Sequence, residues 1–413
     1  MKGDDCFPSQ LTFVNLNRQG QIDSFDINYP GCTQISGRMF ISGTDITNLN
    51  GLKHLDSIYE LNISNTSLLD LTGLDSLRTC RDLALNGNPL LRNLKGLESL
   101  TRVFHFDIFS NPSLENLKGL NSLTYIFHLF VYHNDALINF DGLQSLDTAT
   151  YIDINGNNAL IDFFGMNNLR YVHSDFEINY NSSLINLEGL NNYGSTPGSL
   201  AIYHNNSLVS LKGIDNVKSI GNFFEVYENP RLPDLSGISA LIFASIIKIQ
   251  RNAILSTLNG LNASIKTNSI TLTDNPILSC CLIMKHVLLN NPNIYINNKI
   301  IQLNDIGCNS EAEILALSPT SICCTASISK DTITICQGEY YTVGSHTYTT
   351  TGIYKDTIHV STNCDSIIIT NLTVHPTFYQ IQNKNLCIGQ SFTLSNGRVI
   401  TTNGTYRDSL QTI

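Results

Sequence analysis

From about residue 39 to residue 279, apolar residues return in two rhythms. Stretches such as Phe106-Asp107-Ile108, Phe176-Glu177-Ile178 and Phe224-Glu225-Val226 alternate apolar and polar, the period of a half-buried strand. Between them leucines come at every third position, as in Leu114, Leu117, Leu120 and Leu123. A glycine followed by an aliphatic residue or Met recurs at Gly51, Gly73, Gly96, Gly119, Gly142, Gly165, Gly189, Gly213, Gly237 and Gly260, at intervals of 22 to 24 residues. Such a period predicts a solenoid of about eleven coils whose short strands stack in parallel. No coil can bury its own leucines, so each needs neighbours above and below. At ~4.8 Å per strand the stack is on the order of 50 Å long.

Eight residues before the glycines stands an asparagine: Asn65, Asn88, Asn111, Asn134, Asn157, Asn181, Asn205, Asn229 and Asn252, continued by Asn275, with Gly43 in its place in the first coil. An amide both donates and accepts, so its recurrence after each strand predicts an inward ladder that satisfies backbone groups leaving the sheet. Asn65, Asn181 and Asn205 also match the N-x-[ST] glycan acceptor pattern, but the ladder explains all ten positions together. Pro89, Pro112, Pro230 and Pro276 follow ladder residues and mark corners, where no sheet donor is required.

Composition narrows the setting. Hydrophobic residues make up 42% and charged residues 14%, which describes a chain that folds. A net charge of −10 disfavours nucleic acid as a partner. No apolar run is long enough for a transmembrane segment, and the start lacks a signal-peptide core, so the export signal is expected to lie outside this chain. Eleven cysteines lie mostly in the flanks and tail, which favours an oxidising, extracellular compartment. Cys80, at an apolar repeat position, reads as a small buried hydrophobe.

These repeats resemble the receptor L-domain-like leucine-rich repeats of large secreted bacterial surface proteins, over residues 6 to 324. The segment from Gln21 to Cys32, leading into Ile41-Ser42-Gly43, is similar to that family's amino-terminal cap. The resemblance implies a leucine-rich-repeat solenoid, right-handed and β-helix-like, with a capping disulfide between Cys6 and Cys32. The run from Cys280-Cys281 through Cys308 to Cys323-Cys324 resembles the carboxy-terminal cap, with its connectivity open. The expected division is a cap with a short helix at 1–38, a solenoid at 39–279, a cysteine-bearing cap at 280–325, and small all-β modules at 326–378 and 379–413.

Beyond residue 325 a second repeat appears. Cys336-Gln337-Gly338-Glu339 with Tyr354-Lys355-Asp356 is echoed by Cys387-Ile388-Gly389-Gln390 with Tyr406-Arg407-Asp408. Cys336 is expected to pair with Cys364, whereas the second copy stops before an equivalent cysteine, so Cys387 has lost its partner. These modules resemble the stalk-like β repeats of bacterial surface proteins, and the chain reads as part of a longer one.

Candidate chemistry is sparse. Local signatures of hydrolase, zinc-protease, nucleotide and redox sites are absent, and no cofactor or metal is expected. Counting back from the ladder gives the solvent-facing columns. Two before it lie Phe109, Tyr132, Tyr203 and Tyr227, and one before it His133, Tyr180 and His204. With Glu225, these rings and imidazoles are the candidate ligand contacts, able to stack on sugar faces or anchor a protein. A ring ladder that only stiffens the sheet is the plainer alternative. Asp153 and Glu177, about one strand spacing apart, match the ~5 Å of a retaining glycosidase, but a solvated acidic column explains them as well. His105 and His128 beside Asp107 lack an evident third metal ligand. The expectation is a secreted or cell-surface, non-catalytic adhesion protein binding protein or glycan; the alternatives are a polysaccharide-capture module and a structural spacer.

Overall fold

The computed structural model describes residues 13–318 apart from 293 and 295–297, then 328–358, 366–375, and 385–406 with gaps at 388, 395–397 and 403. The chain divides into two compact units, 1–325 and 326–413.

The first unit is a parallel-strand β-solenoid of about eleven turns. Its strands follow one another in chain order, in constant register: Asp107 lies beside Phe130, Phe130 beside Asp153 and Asp153 beside Glu177. In the coil of Arg102–Phe109, Val103, Phe106 and Ile108 point inward, and Leu114, Leu117, Leu120 and Leu123 close the far side. Repeated in every coil, these side chains merge into one apolar core from Val14 to Ile314.

Glycine recurs because neighbouring coils meet there backbone to backbone. Gly142 has φ 125°, and a Cβ on it would lie 2.0 Å from the Leu117 carbonyl oxygen. Flanking polar residues satisfy the turn. Asn139 accepts from the Asp141 N–H at 3.1 Å and Gln144 from the Gly142 N–H at 3.0 Å, an arrangement repeated by Asn93 and Glu98 around Gly96.

The asparagine ladder is continuous and fully buried from Asn88 to Asn275. From Asn111 on, the Oδ1 of each accepts from the main-chain N–H of its predecessor, joined in most rungs by the predecessor's Nδ2, and each Nδ2 donates to a strand carbonyl one coil back. For Asn157 the acceptances from Asn134 are 3.1 and 3.3 Å and the donation to Val131 O is 2.8 Å. Asn181 and Asn205 are therefore inaccessible as glycan acceptors. Asn65 does not belong to the ladder. Its coil is one residue shorter, so Asn65 is exposed at φ 52° and Thr66 takes the rung, donating from N and Oγ1 to Asn88 Oδ1 at 3.2 and 2.7 Å. At the other end Asn304 adds a rung, accepting from Asn275 N at 3.2 Å.

The residue before each rung turns the corner in the left-handed region. Asn65, Ser110, His133, Tyr180, His204, Glu228, Arg251, Asp274 and Leu303 hold φ between 49° and 58°, with Gly87 and Gly156 in the same row. For a residue with a Cβ this costs roughly 1–2 kcal/mol, offset here by the buried amide hydrogen bonds that follow.

Both ends are capped. Helices α1 (Gln19–Asp23) and α2 (Phe25–Asn28) bury Ile22 and Phe25 against the first coil, and the strand Phe13–Leu16 already pairs with Gln34–Ser42, so the sheet begins inside the expected cap. At the far end, α3 (Leu282–Asn290) and α4 (Glu311–Ala316) flank one more strand, Lys299–Gln302, beyond the expected boundary at 279. Cys281 is bonded to Cys308 across a Cα–Cα distance of 5.6 Å, which settles one link of the open connectivity. Cys32 and Cys280 are also disulfide-bonded, while Cys6, Cys323, Cys324 and Cys364 lie outside the described residues. Cys80 is buried, and burial raises its thiol pKa far above the ordinary value.

In the second unit, Ile328–Cys336 runs parallel to Ser366–His375, with Gly352–Ile358 antiparallel on the other side of Ser366–His375; the described residues also form two short antiparallel pairs. The sequence duplication has a structural counterpart. Glu339 and Gln390 close matching turns onto Cys336 and Cys387, and the Tyr354 and Tyr406 hydroxyls return to the Thr350 and Thr402 carbonyls at 2.7 and 2.9 Å. The expected Cys336 bridge is corrected: Cys336 is a free, exposed thiol at a strand end in register with His375, and Cys387 is free as well.

Candidate functional site

The strand face carries three clusters. The central one joins side chains from four coils. Tyr132 donates to Asp153 Oδ2 at 2.6 Å, Tyr151 and Tyr203 donate to the two oxygens of Glu177 at 2.9 Å each, and Asn179 donates to Tyr203 at 2.7 Å. Asp153 is 8% exposed, and Asn179 is buried with its Oδ1 unpartnered. Burial raises the Asp153 pKa to about 6; the nearby Glu177 charge adds to this and the Tyr132 hydrogen bond opposes it. Burial, reinforced by the same carboxylates, also holds Tyr132, Tyr151 and Tyr203 well above the ordinary phenol range. The hydroxyls of Tyr132 and Tyr203 are thus engaged within the sheet, and Asn155 and Asn179 interrupt the column between them.

A carboxyl whose folded pKa exceeds its unfolded value binds more protons folded than unfolded between about pH 4 and 6, so stability falls as pH rises through that window. Asp153→Asn, which keeps an acceptor for Tyr132, is expected to stabilise the solenoid by about 1–2 kcal/mol at pH 7.5. Denaturant melts should show the gain vanish below pH 4; an equal gain at both pH values would refute a titrating origin.

The second cluster lies along the row of left-handed corners. Tyr180 stacks on His204 with centroids 4.4 Å apart and planes 13° from parallel, and His204 Nδ1 lies 2.9 Å from Glu228 Oε2. Arg251 bonds both Glu228, at 3.1 Å, and the Tyr227 hydroxyl, at 2.8 Å. His133 packs edge-on against Phe109 at 5.8 Å. Between His133 and Tyr180 the row is occupied by Gly156, and a depression of about 470 Å³ opens there, bordered by Asn155, Asn158, Ser182 and Asn206. Glu225 stands apart, 3.6 Å from Lys248.

Alternation along the strand conceals the third cluster. Seven residues before each rung, a bulge left out of the strand register turns Tyr59, Arg81, Phe104 and Phe127 outward. Phe104 and Phe127 stack at 4.1 Å, and the Arg81 guanidinium lies 4.9 Å from the Tyr59 ring centre and 5.5 Å from that of Phe104. The repeated step from an inward residue to two outward ones, as in Val103-Phe104-His105, is the sequence signal for this column. His105 and His128 adjoin at 4.7 Å, and burial together with His105 lowers the His128 pKa. Among the described residues no three His, Cys, Asp or Glu side chains form a group suited to a metal ion, and no helix is long and apolar enough to cross a membrane. No family model matches the chain, and no curated protein matches it.

Proposed function

We propose that this chain is an extracellular, non-catalytic recognition protein of the leucine-rich-repeat, receptor L-domain-like type, secreted or held at a cell surface, which binds a protein or glycan ligand through its strand face. The observation that carries this reading is the set of exposed rings on that face and its corner row: Phe104, Phe109 and Tyr180 are 37%, 43% and 50% exposed. A rigid aromatic surface loses little entropy on binding, which suits recognition. The Cys281–Cys308 disulfide supports an oxidising compartment. The Asp153 and Glu177 carboxylates accept tyrosine hydroxyls, which favours a structural role for them over hydrolysis.

A screen of the full chain against glycans and matrix proteins tests this reading. Phe104, Phe109, Tyr180 and Tyr227 changed together to Ala should remove binding, whereas Ile138, Ile161 and Ile185 on the turn side changed to Ala should retain it. Binding that survives the face variant would overturn the strand face as the site, and no binding by the parent chain would favour a structural spacer.

A further inference from the structure

The depression at Gly156 has features that the rest of the strand face lacks. We propose that it is a subsite for one neutral pyranose, seated with its C–H face on Tyr180. The assignment rests on the strand face being a recognition surface and adds the class of ligand.

Side chains in the corner row project from successive coils, so a glycine at position 156 leaves that coil without one of its own beside Tyr180. Tyr180 covers one ring face with His204, and its opposite face is turned toward the Gly156 coil. The imidazole of His133 reaches across the glycine, since a Cβ there would lie 2.5 Å from His133 Nδ1, and forms part of the floor. Asn158 is fixed in orientation, donating to Asp135 at 2.7 Å and accepting from Ser182 at 2.8 Å. Neither carboxylate, lysine nor arginine lines the depression.

A free aromatic face therefore adjoins amides that both donate and accept, without a fixed charge. That combination matches a ring with an apolar C–H face and several hydroxyls, each of which also donates and accepts. An anionic sugar would find no lysine or arginine here, and a purely apolar ligand would leave the amides unpaired. The central network offers no such place, because its hydroxyls are already bonded to Asp153 and Glu177.

The test is titration of the full chain with methyl glycosides of neutral hexoses and N-acetylhexosamines, with glucuronic and sialic acid as comparators, followed by calorimetry and saturation-transfer NMR. Saturable binding of at least one neutral glycoside is expected, weakened about tenfold or more by Tyr180→Ala and preserved by Tyr180→Phe. Gly156→Asn, which accepts the left-handed backbone and drives the His133 imidazole out of the floor, should abolish it, and Ile185→Ala should leave it unchanged. Thermal melts confirm that each variant is folded. The proposal is overturned if no neutral glycoside binds at millimolar concentration, if the acidic sugars bind more tightly, or if folded Gly156→Asn binds like the parent. Should a screened protein then still bind through the strand face, the recognition reading stands and the sugar subsite alone fails.

Discussion

Asn157→Ala is expected to destabilise the solenoid by about 3–5 kcal/mol, an effect large for a change of four heavy atoms to one. The amide accepts from the N–H and Nδ2 of Asn134 and donates to the carbonyls of Val131 and Asn155, all within a buried ladder. Its removal leaves the Asn134 N–H buried without an acceptor. Because each coil contacts only its neighbours, the damage weakens one interface in the middle of the stack. A single denaturant transition should therefore move to lower denaturant and broaden or divide. Asn206→Ala, at an exposed position one residue past a rung, should shift the midpoint hardly at all; equal losses from the two variants would mean that the ladder is not what joins the coils.

Gly142→Ala should be at least as damaging, by about 3–5 kcal/mol or more, and for a different reason. At φ 125° an L side chain is strained, and the added Cβ would lie 2.0 Å from the Leu117 oxygen and 2.2 Å from its carbonyl carbon. Backbone cannot swing aside as a side chain can, so the two coils must separate and open the leucine layer between them. Gly87→Asn is the matched comparison. Its φ of 63° lies in the region that Ser, His, Tyr and Glu occupy in other coils, and the nearest atom to an added Cβ is the Asn65 side-chain oxygen at 3.2 Å. It should cost less than about 1 kcal/mol. Paired thermal melts check both; a mild Gly142→Ala would show that the coils are not in contact at that glycine.

Much of this architecture is legible in the sequence because every coil faces the same constraint. A glycine forced by backbone contact and an asparagine forced by buried amides leave a regular trace whatever the rest of the coil contains. Irregularities leave less. Thr66 takes a rung because its coil is one residue short, and the neighbouring Asn65 has the expected residue type at the wrong depth. Strict alternation places Phe104 inside, whereas a bulge turns it out. The candidate site is harder still to foresee. Tyr151 and Glu177 are 26 residues apart and bond only because two coils bring them side by side. The column count put Tyr132 and Tyr203 on the outward side of their strands but could not show that their hydroxyls are engaged. Gly156, by contrast, shapes its surroundings through a missing side chain, which a search for chemical groups passes over.

The ladder also has a direction. Every rung presents its amide oxygen toward the first coil and its main-chain N–H toward the last, so the two ends are chemically unlike. Thr66, which donates twice to Asn88, opens the series, and Asn309, whose Oδ1 receives the Asn304 N–H at 3.1 Å, closes it. Any internal coil meets the one before it and the one after it with the same pair of complementary groups. The molecule is in this respect an addition polymer with an initiator, a monomer and a terminator. A coil of the common internal length, copied in frame between two others, would find both its bonding partners already waiting, so the number of coils is free to change while the two ends are not interchangeable.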